Sequence, residues 1–325
     1  MRALALAIGT LAMVAGVQAA TQVHYVMGTY LRVTVDDDVP VHALDACFAD
    51  ARALDRTFSR YDAGSELTRL NGAGGGLAGP VMRSGLAHAL ELKRTTDGAF
   101  DVSVGALTRL WHRPSRPGAD EIAAARATVG AVALTPDGVR LGRGTELDFD
   151  GFAKGLAVDA CVAHLRAAGV RRALVSFGES SIYALGAPRG ASAWTLDVRG
   201  PDPETVVARL RLRDEAASVS AVYGGEGKRS RDAVGHIVDP GSGRPLAEDV
   251  VGIVVAPSAA SAEALSKAVL VWGPRGLARV ERLRDARAAR LTRAGVVAGA
   301  EMRRAQALVA FDHPRPLAVV EAALR

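Results

Sequence analysis

The stretch Leu147-Asp-Phe-Asp-Gly-Phe-Ala-Lys-Gly-Leu-Ala-Val-Asp159 reads as a short strand, a tight glycine turn and the first turn of a helix. It sets Asp148 and Asp150 near Lys154, in a chain that has only four lysines. Glycine lets backbone approach a ligand closely. A helix start offers free N–H groups and the positive end of the dipole, and both suit phosphate. Carboxylate beside lysine suits a nucleotide or a metal-bound phosphate better than it suits a core.

Outward from this block, the helix runs from about Ala153 to Ala168 and stops at Gly169, and Arg172–Phe177 follows as a buried strand. Further strands are read at Tyr183–Gly186, Trp194–Arg199 and Val250–Ala256, with a helix over Ser261–Trp272. Upstream, Val23–Val35 alternates as a strand broken at Met27-Gly-Thr29. Val41–Phe58 and Ser84–Thr96 carry apolar residues at helical spacing, Ala119–Thr128 is a short helix, and Val132–Leu147 is a hairpin turning at Pro136-Asp-Gly138. Helices and strands interleave but hairpins recur, which gives α+β rather than a doubly wound sheet. No long linker or internal repeat divides the chain.

The 325 residues fit one large domain or two intimate ones. The net charge of +5 comes from scattered arginines, with 5% aromatics and no basic block interleaved with them. Nucleic acid is therefore excluded as the expected partner. Arg2, the apolar run Ala3–Gly16 and Val17-Gln-Ala19 form a secretory leader with a small-residue cleavage site, giving a leader at 1–19 and a periplasmic chain from about residue 23 to 325. The apolar run is too short to span a membrane comfortably, and no cysteine follows it for a lipid anchor. The mature chain is expected to hold no integral membrane segment. Cys47 and Cys161 each sit on the apolar face of a helix. Buried free thiols are the favoured reading, although the compartment also allows a disulfide.

Four clusters carry side chains a core would not choose: Met27-Gly-Thr29; Thr96-Asp-Gly-Ala-Phe-Asp101; the opening block; and Gly235-His-Ile-Val-Asp-Pro240. Together with Phe58-Ser-Arg-Tyr61 and Ser65-Glu-Leu-Thr-Arg-Leu-Asn71, their order resembles the ApbE family of FAD:protein FMN transferases over about 27–272. The resemblance implies an ApbE-type, T-fold-like arrangement of mixed sheets and packed helices forming one flavin-binding unit. It implies FAD as substrate and Mg²⁺ as metal, with FMN moved to a Thr or Ser hydroxyl of an acceptor flavoprotein and AMP released. Met27 and Tyr61 would flank the flavin. Ala99, Phe100 and Asp101 would line the nucleotide, Asp150 would hydrogen-bond it, and Leu156 and Ile237 would pack nearby. The carbonyl of Ala153 would face the metal. His236 would be the base that takes the hydroxyl's proton.

The chain departs from the family pattern where the metal ligands are expected. The family's Asp-Ala-Leu-x-Thr-Ala is here Glu263-Ala-Leu-Ser-Lys-Ala268. Glu263 and Ser266 can still offer oxygens. Lys267, at the usual Thr position, has no acceptor to give. Glu263, Ser266 and Lys267 share one helix face, so Lys267 either pairs with Glu263 where the cation should be or swings into solvent. The family's Thr-Ser before the histidine motif is Ala221-Val222. Two alternatives to transfer follow: an FAD-binding protein with a degenerate metal site, or a pyrophosphatase that splits FAD with water.

Overall fold

Every residue of Val250–Ala256 is buried, and the strand divides by parity. Val254 and Ala256 belong to one apolar cluster, while Val251, Ile253 and Val255 belong to another. Successive side chains of a strand point to opposite faces, so this strand lies inside a sheet covered on both sides. The computed structural model describes residues 20–37, 41–199, 206–222, 237–247, 250–283, 285–292, 295–304 and 308–310. The leader read at 1–19 and His236 lie outside the described residues.

In chain order the elements are β1 (Ala20–Val26), β2 (Thr29–Val35), α1 (Val41–Phe58), α2 (Glu66–Ala73), β3 (Gly75–Leu77), α3 (Pro80–Thr95), α4 (Gly105–Trp111), α5 (Ala119–Arg126), β4 (Val132–Leu134) and β5 (Gly138–Leu141). Then come α6 (Ala153–Ala167), β6 (Ala173–Phe177), β7 (Ser181–Leu185), β8 (Trp194–Arg199), β9 (Val206–Leu212), β10 (Glu215–Val222), β11 (Val250–Ala256) and α7 (Ala259–Val271). The chain continues through α8 (Gly276–Glu281), β12 (Arg287–Thr292), β13 (Gly295–Ala298), α9 (Ala300–Arg304) and β14 (Leu308–Ala310).

Eight strands form the main sheet in the order β1-β2-β6-β7-β10-β11-β12-β13, with neighbours antiparallel. Helices α1, α3, α6 and α7 bury their apolar faces against one side, around Phe48, Leu86, Val158 and Leu265. The three-stranded sheet β14-β9-β8 covers the other side with Trp194, Val198, Leu210 and Leu212. A small sheet, β3-β5-β4, extends beside α2 and α3. This is the α+β architecture that the recurring hairpins imply.

Several boundaries move for local reasons. Helix α3 starts at Pro80 rather than Ser84, with proline in the first turn where its missing N–H costs nothing. Helix α2 is read from the sequence only as a named segment. Its start is capped by Ser65, whose hydroxyl accepts the Thr68 N–H at 3.0 Å, and its end by Gly74 at φ 71°. Between β1 and β2, Met27 and Gly28 take φ 50° and 73°, the two left-handed residues of a tight hairpin.

The cysteines correct the sequence reading. Cys47 on α1 and Cys161 on α6 are not free thiols but a disulfide joining residues 114 apart. The two helix faces read as apolar meet each other, so each sulfur finds the other inside the core. Closing a loop of this length removes about 5 kcal/mol of unfolded-state entropy in the chain-entropy model. Reduction, or the Cys47→Ser/Cys161→Ser double change, is expected to lower the urea-unfolding free energy by about 3–5 kcal/mol. Equilibrium unfolding with and without reductant checks this, and reductant is expected to leave the double variant unchanged.

Candidate active site

The site is built where α6 crosses α7. Gly155 on α6 has no side chain, and a Cβ there would lie 2.6 Å from the Ala260 Cα and 2.7 Å from its nitrogen. Backbone therefore meets backbone, with Ala259 and Ala260 fully buried on the other side. The crossing is held by two carboxylates. Asp159 on α6 accepts the Ala259 and Ala260 N–H groups at 2.7 and 3.0 Å, taking up free donors at the start of α7. Glu263 on α7 accepts the Gly155 N–H at 2.7 Å in return. The helix start read as facing phosphate thus gives this N–H to the protein's own carboxylate.

Glu263 is almost wholly buried (side chain 1% exposed), and Lys154 Nζ sits 2.8 Å from its Oε1. Lys267 is more distant, 3.9 Å from Oε1, and donates instead to the Glu263 carbonyl at 3.2 Å. The close partner of Glu263 is therefore Lys154, a pairing that helix spacing alone does not reveal. Burial opposes the Glu263 charge, but Lys154, Lys267 and the Gly155 N–H outweigh it and hold the carboxyl at about 2. Burial lowers the Lys267 ammonium to about 8, with Glu263 pulling the other way. Lys267 does not swing into solvent. Its side chain is 19% exposed, and its stem underlies the Asp150-Gly151 turn, where a Cβ on Gly151 would meet Lys267 Cε at 2.7 Å.

Above this floor, Tyr61 is 78% exposed and its hydroxyl donates to Asp150 Oδ2 at 2.9 Å. Desolvation of the phenol and the Asp150 charge push the tyrosine up to about 12. Burial, and then Asp148, raise Asp150. Arg60, which the sequence reading passes over, lies 2.6 Å from Asp148 Oδ2 and 4.0 Å from Asp150 Oδ2. Thr108 also donates to Asp148, at 2.7 Å. On another side, the left-handed turn at Met27-Gly28 brings Thr29 against Gly178, beside the stem of Lys154. A bulky residue at positive φ is costly and persists where its surroundings impose it.

The other expected residues divide. Phe100 is buried and packs on Phe152, their ring centroids 5.5 Å apart, so it backs the Asp150 turn from inside the core. Ala99 is buried beside it. The Asp101 carboxylate is already engaged by Lys93 at 2.8 Å and by the Ser103 N–H and hydroxyl. It props the Thr96–Asp101 loop rather than presenting free oxygens to a nucleotide. Leu156 packs near Gly85 and Phe58. Ile237 lies in a separate small cluster with Val222, Val250 and Leu270.

Ser266 turns away from the turn altogether. Its hydroxyl bonds the Ser218 and Ser220 hydroxyls at 3.1 and 2.8 Å and the Glu263 carbonyl at 2.9 Å. The hydroxyls of β10 thus fasten α7 to the sheet. With Ser266 turned inward, both Glu263 oxygens occupied and an ammonium at position 267, these residues do not fit a divalent cation. Among the described residues no cluster of three or more His, Cys, Asp or Glu could hold one.

A match to the model of the ApbE family spans residues 27–291. The chain belongs to the ApbE family. A relative from Rhodobacter capsulatus, called an FAD:protein FMN transferase, is 30% identical over 338 residues, covering 98% of this chain and 64% of that protein. This chain thus spans just under two thirds of that relative's length. A Vibrio cholerae protein of the same name is 30% identical over 239 residues, covering 69% of this chain and 71% of its own. The solved flavin transferase ApbE from V. cholerae superposes with a TM-score of 0.78 at 22% identity, covering 89% of this chain and 99% of that one. The ApbE protein of Thermotoga maritima gives 0.79 at 23% identity, covering 88% and 99%. At these identities the structural likeness establishes the fold.

Two outcomes test the crossing. Gly155→Ala is expected to cost at least about 2 kcal/mol, because backbone must move to admit the methyl. Gly72→Ala, in open space on α2, is expected to be neutral or slightly stabilising; urea midpoints of both variants check this. The second outcome concerns pH. Burial raises Asp159 to about 6, with the Ala260 and Ala259 N–H groups opposing. Its folded pKa lies above its unfolded one, so the folded chain binds this proton more tightly. The penalty of burying the charge is present above about pH 6 and is relieved as pH falls toward 4. Asp159→Asn is expected to remove that dependence and flatten the unfolding free energy between these limits by about 2 kcal/mol, measured by denaturation across pH.

Proposed function

We propose that this chain transfers the FMN half of FAD to a Thr or Ser hydroxyl of an acceptor flavoprotein, releasing AMP. Membership of the family and the name borne by its relatives motivate the reading. The observation that carries it is the cluster of Tyr61 and Asp150 above Lys154 and Lys267. An exposed ring, a hydrogen-bonding carboxylate and two ammonium groups together suit an aromatic nucleotide joined through a diphosphate.

In this reading the acceptor oxygen forms a new P–O bond at the flavin-side phosphorus. The bond from that phosphorus to the bridging oxygen breaks, AMP leaves with that oxygen, and the hydroxyl proton passes to a base. His236 is assigned that base by its motif. Met27 and Tyr61 flank the flavin, Asp150 binds the cofactor, Leu156 and Ile237 pack near it, and Ala99, Phe100 and Asp101 shape the wall behind it. Mg²⁺ enters from the family resemblance, through Ala153, Glu263 and Ser266. The ammonium groups and the N–H around Glu263 do not suit it.

One unit from about residue 23 onward, exported by the leader at 1–19, is proposed to work in the periplasm. The buried disulfide supports this, because such bonds persist in oxidising compartments. Among the described residues no helix is long and apolar enough to cross a membrane. A second reading, a flavin-binding protein without transfer, is favoured by Lys267 and by Ala221-Val222 in place of the family's Thr-Ser.

Incubation with FAD and a Thr-bearing FMN-binding domain decides among these readings. Transfer predicts an acceptor gaining the FMN mass and in-gel flavin fluorescence, with one AMP released per adduct. AMP without adduct indicates a pyrophosphatase. Bound FAD left intact indicates a binding protein.

A further inference from the structure

The cation expected at this site has a built-in competitor. Glu263 is buried, and a buried carboxylate left without a partner would be costly. Lys154 meets that need at 2.8 Å, and the Gly155 N–H takes the second oxygen at 2.7 Å. Lys267 is therefore surplus to the neutralisation of Glu263. An ammonium has three donors. Among the described residues, the Lys267 ammonium makes one hydrogen bond, to the Glu263 carbonyl. Its stem lies close under Gly151, where a side chain would push it away. Two ammonium groups then lie 2.8 and 3.9 Å from one Glu263 oxygen, beneath the Asp150-Gly151 turn. The second ammonium repels a divalent cation at that oxygen and offers its charge to an anion. Lysine is an accepted point-charge ligand for phosphate.

We propose that the Lys267 ammonium stands in for the divalent cation, so that the diphosphate of the nucleotide is held and neutralised by the chain's own lysines without added metal. This rests on the reading of the site as one for FAD, and it adds a specificity: phosphate-bearing flavins need Lys267, and riboflavin does not.

The test uses the purified chain and quenching of flavin fluorescence. FAD affinity is expected to be the same within about twofold in EDTA and in millimolar Mg²⁺. Lys267→Met is expected to weaken FAD by about tenfold or more in EDTA, as for loss of a charged phosphate contact, and to leave riboflavin unchanged. Lys267→Thr is expected to lose FAD in EDTA and recover it with Mg²⁺. Lys267→Arg, which keeps the charge, guards against a folding artefact and is expected to retain most of the affinity. A tenfold loss of FAD from the unaltered chain in EDTA would overturn the proposal, as would a methionine variant that binds FAD as tightly as the unaltered chain. Equilibrium dialysis of Mn²⁺ against the ligand-free chain supplies an independent arm. No retained Mn²⁺ is expected, and stoichiometric Mn²⁺ would overturn the proposal. If the chain bound no FAD in either condition, the nucleotide reading would fail, and the Mn²⁺ arm would still decide the question of the lysine.

Discussion

Glu263 and the two groups that reach it organise this molecule. A carboxylate with 1% of its side chain exposed cannot be buried alone, so the fold must deliver Lys154 and the Gly155 N–H to it from another helix. That requirement fixes the height at which α6 crosses α7. It is met only because Gly155 and the Ala259-Ala260 pair let the two backbones touch. Asp159 answers from the other direction at the start of α7. The crossing is thus reciprocal: each helix supplies a carboxylate to the other's backbone.

From that crossing the site follows with little freedom. Lys154 is aimed inward by Glu263, and its flank supports Gly178 and Thr29 at the end of the first hairpin. Phe149 and Phe152 are fully buried, and they hold the Asp150-Gly151 turn at the surface between them. Tyr61 and Arg60 close over the turn from the end of α1, each directed by a carboxylate of the Asp148/Asp150 pair. The hydroxyls of Ser218, Ser220 and Ser266 keep α7 fastened to the sheet, while Gly252 lets it lie close.

Much of this was legible in the amino-acid order. The turn and helix around Asp150, the strand at Val250–Ala256 and the α+β class follow from apolar spacing and glycine placement, which depend on neighbours along the chain; no strand forms at Leu147–Phe149, where the backbone bonds Asn71 and Val102 instead of a sheet neighbour. Tyr61, Asp150, Lys267 and Glu263 were reached through motif order. What escaped depends on contacts between distant segments. The Cys47–Cys161 bridge, the choice of Lys154 over Lys267 as partner of Glu263, the engagement of Asp101 by Lys93 and the inward turn of Ser266 all arise from elements whose relative placement no periodicity encodes. Arg60 was visible in Phe58-Ser-Arg-Tyr61, but only its distance to Asp148 gives it a role.

The disulfide has a topological consequence. By joining Cys47 to Cys161 it makes a covalent ring of the intervening chain. Tyr61, the Thr96–Asp101 loop and the whole Asp148–Gly155 turn belong to that ring, whereas Glu263 and Lys267 stand outside it. The site is therefore assembled from a tethered half and an untethered half that meet by packing, an ion pair and hydrogen bonds. A break in the exposed Arg113–Arg116 loop would leave both fragments bound together and the ring's half in place. The seam between the two halves runs between α6 and α7, where Glu263 and Asp159 each hold the other helix's backbone.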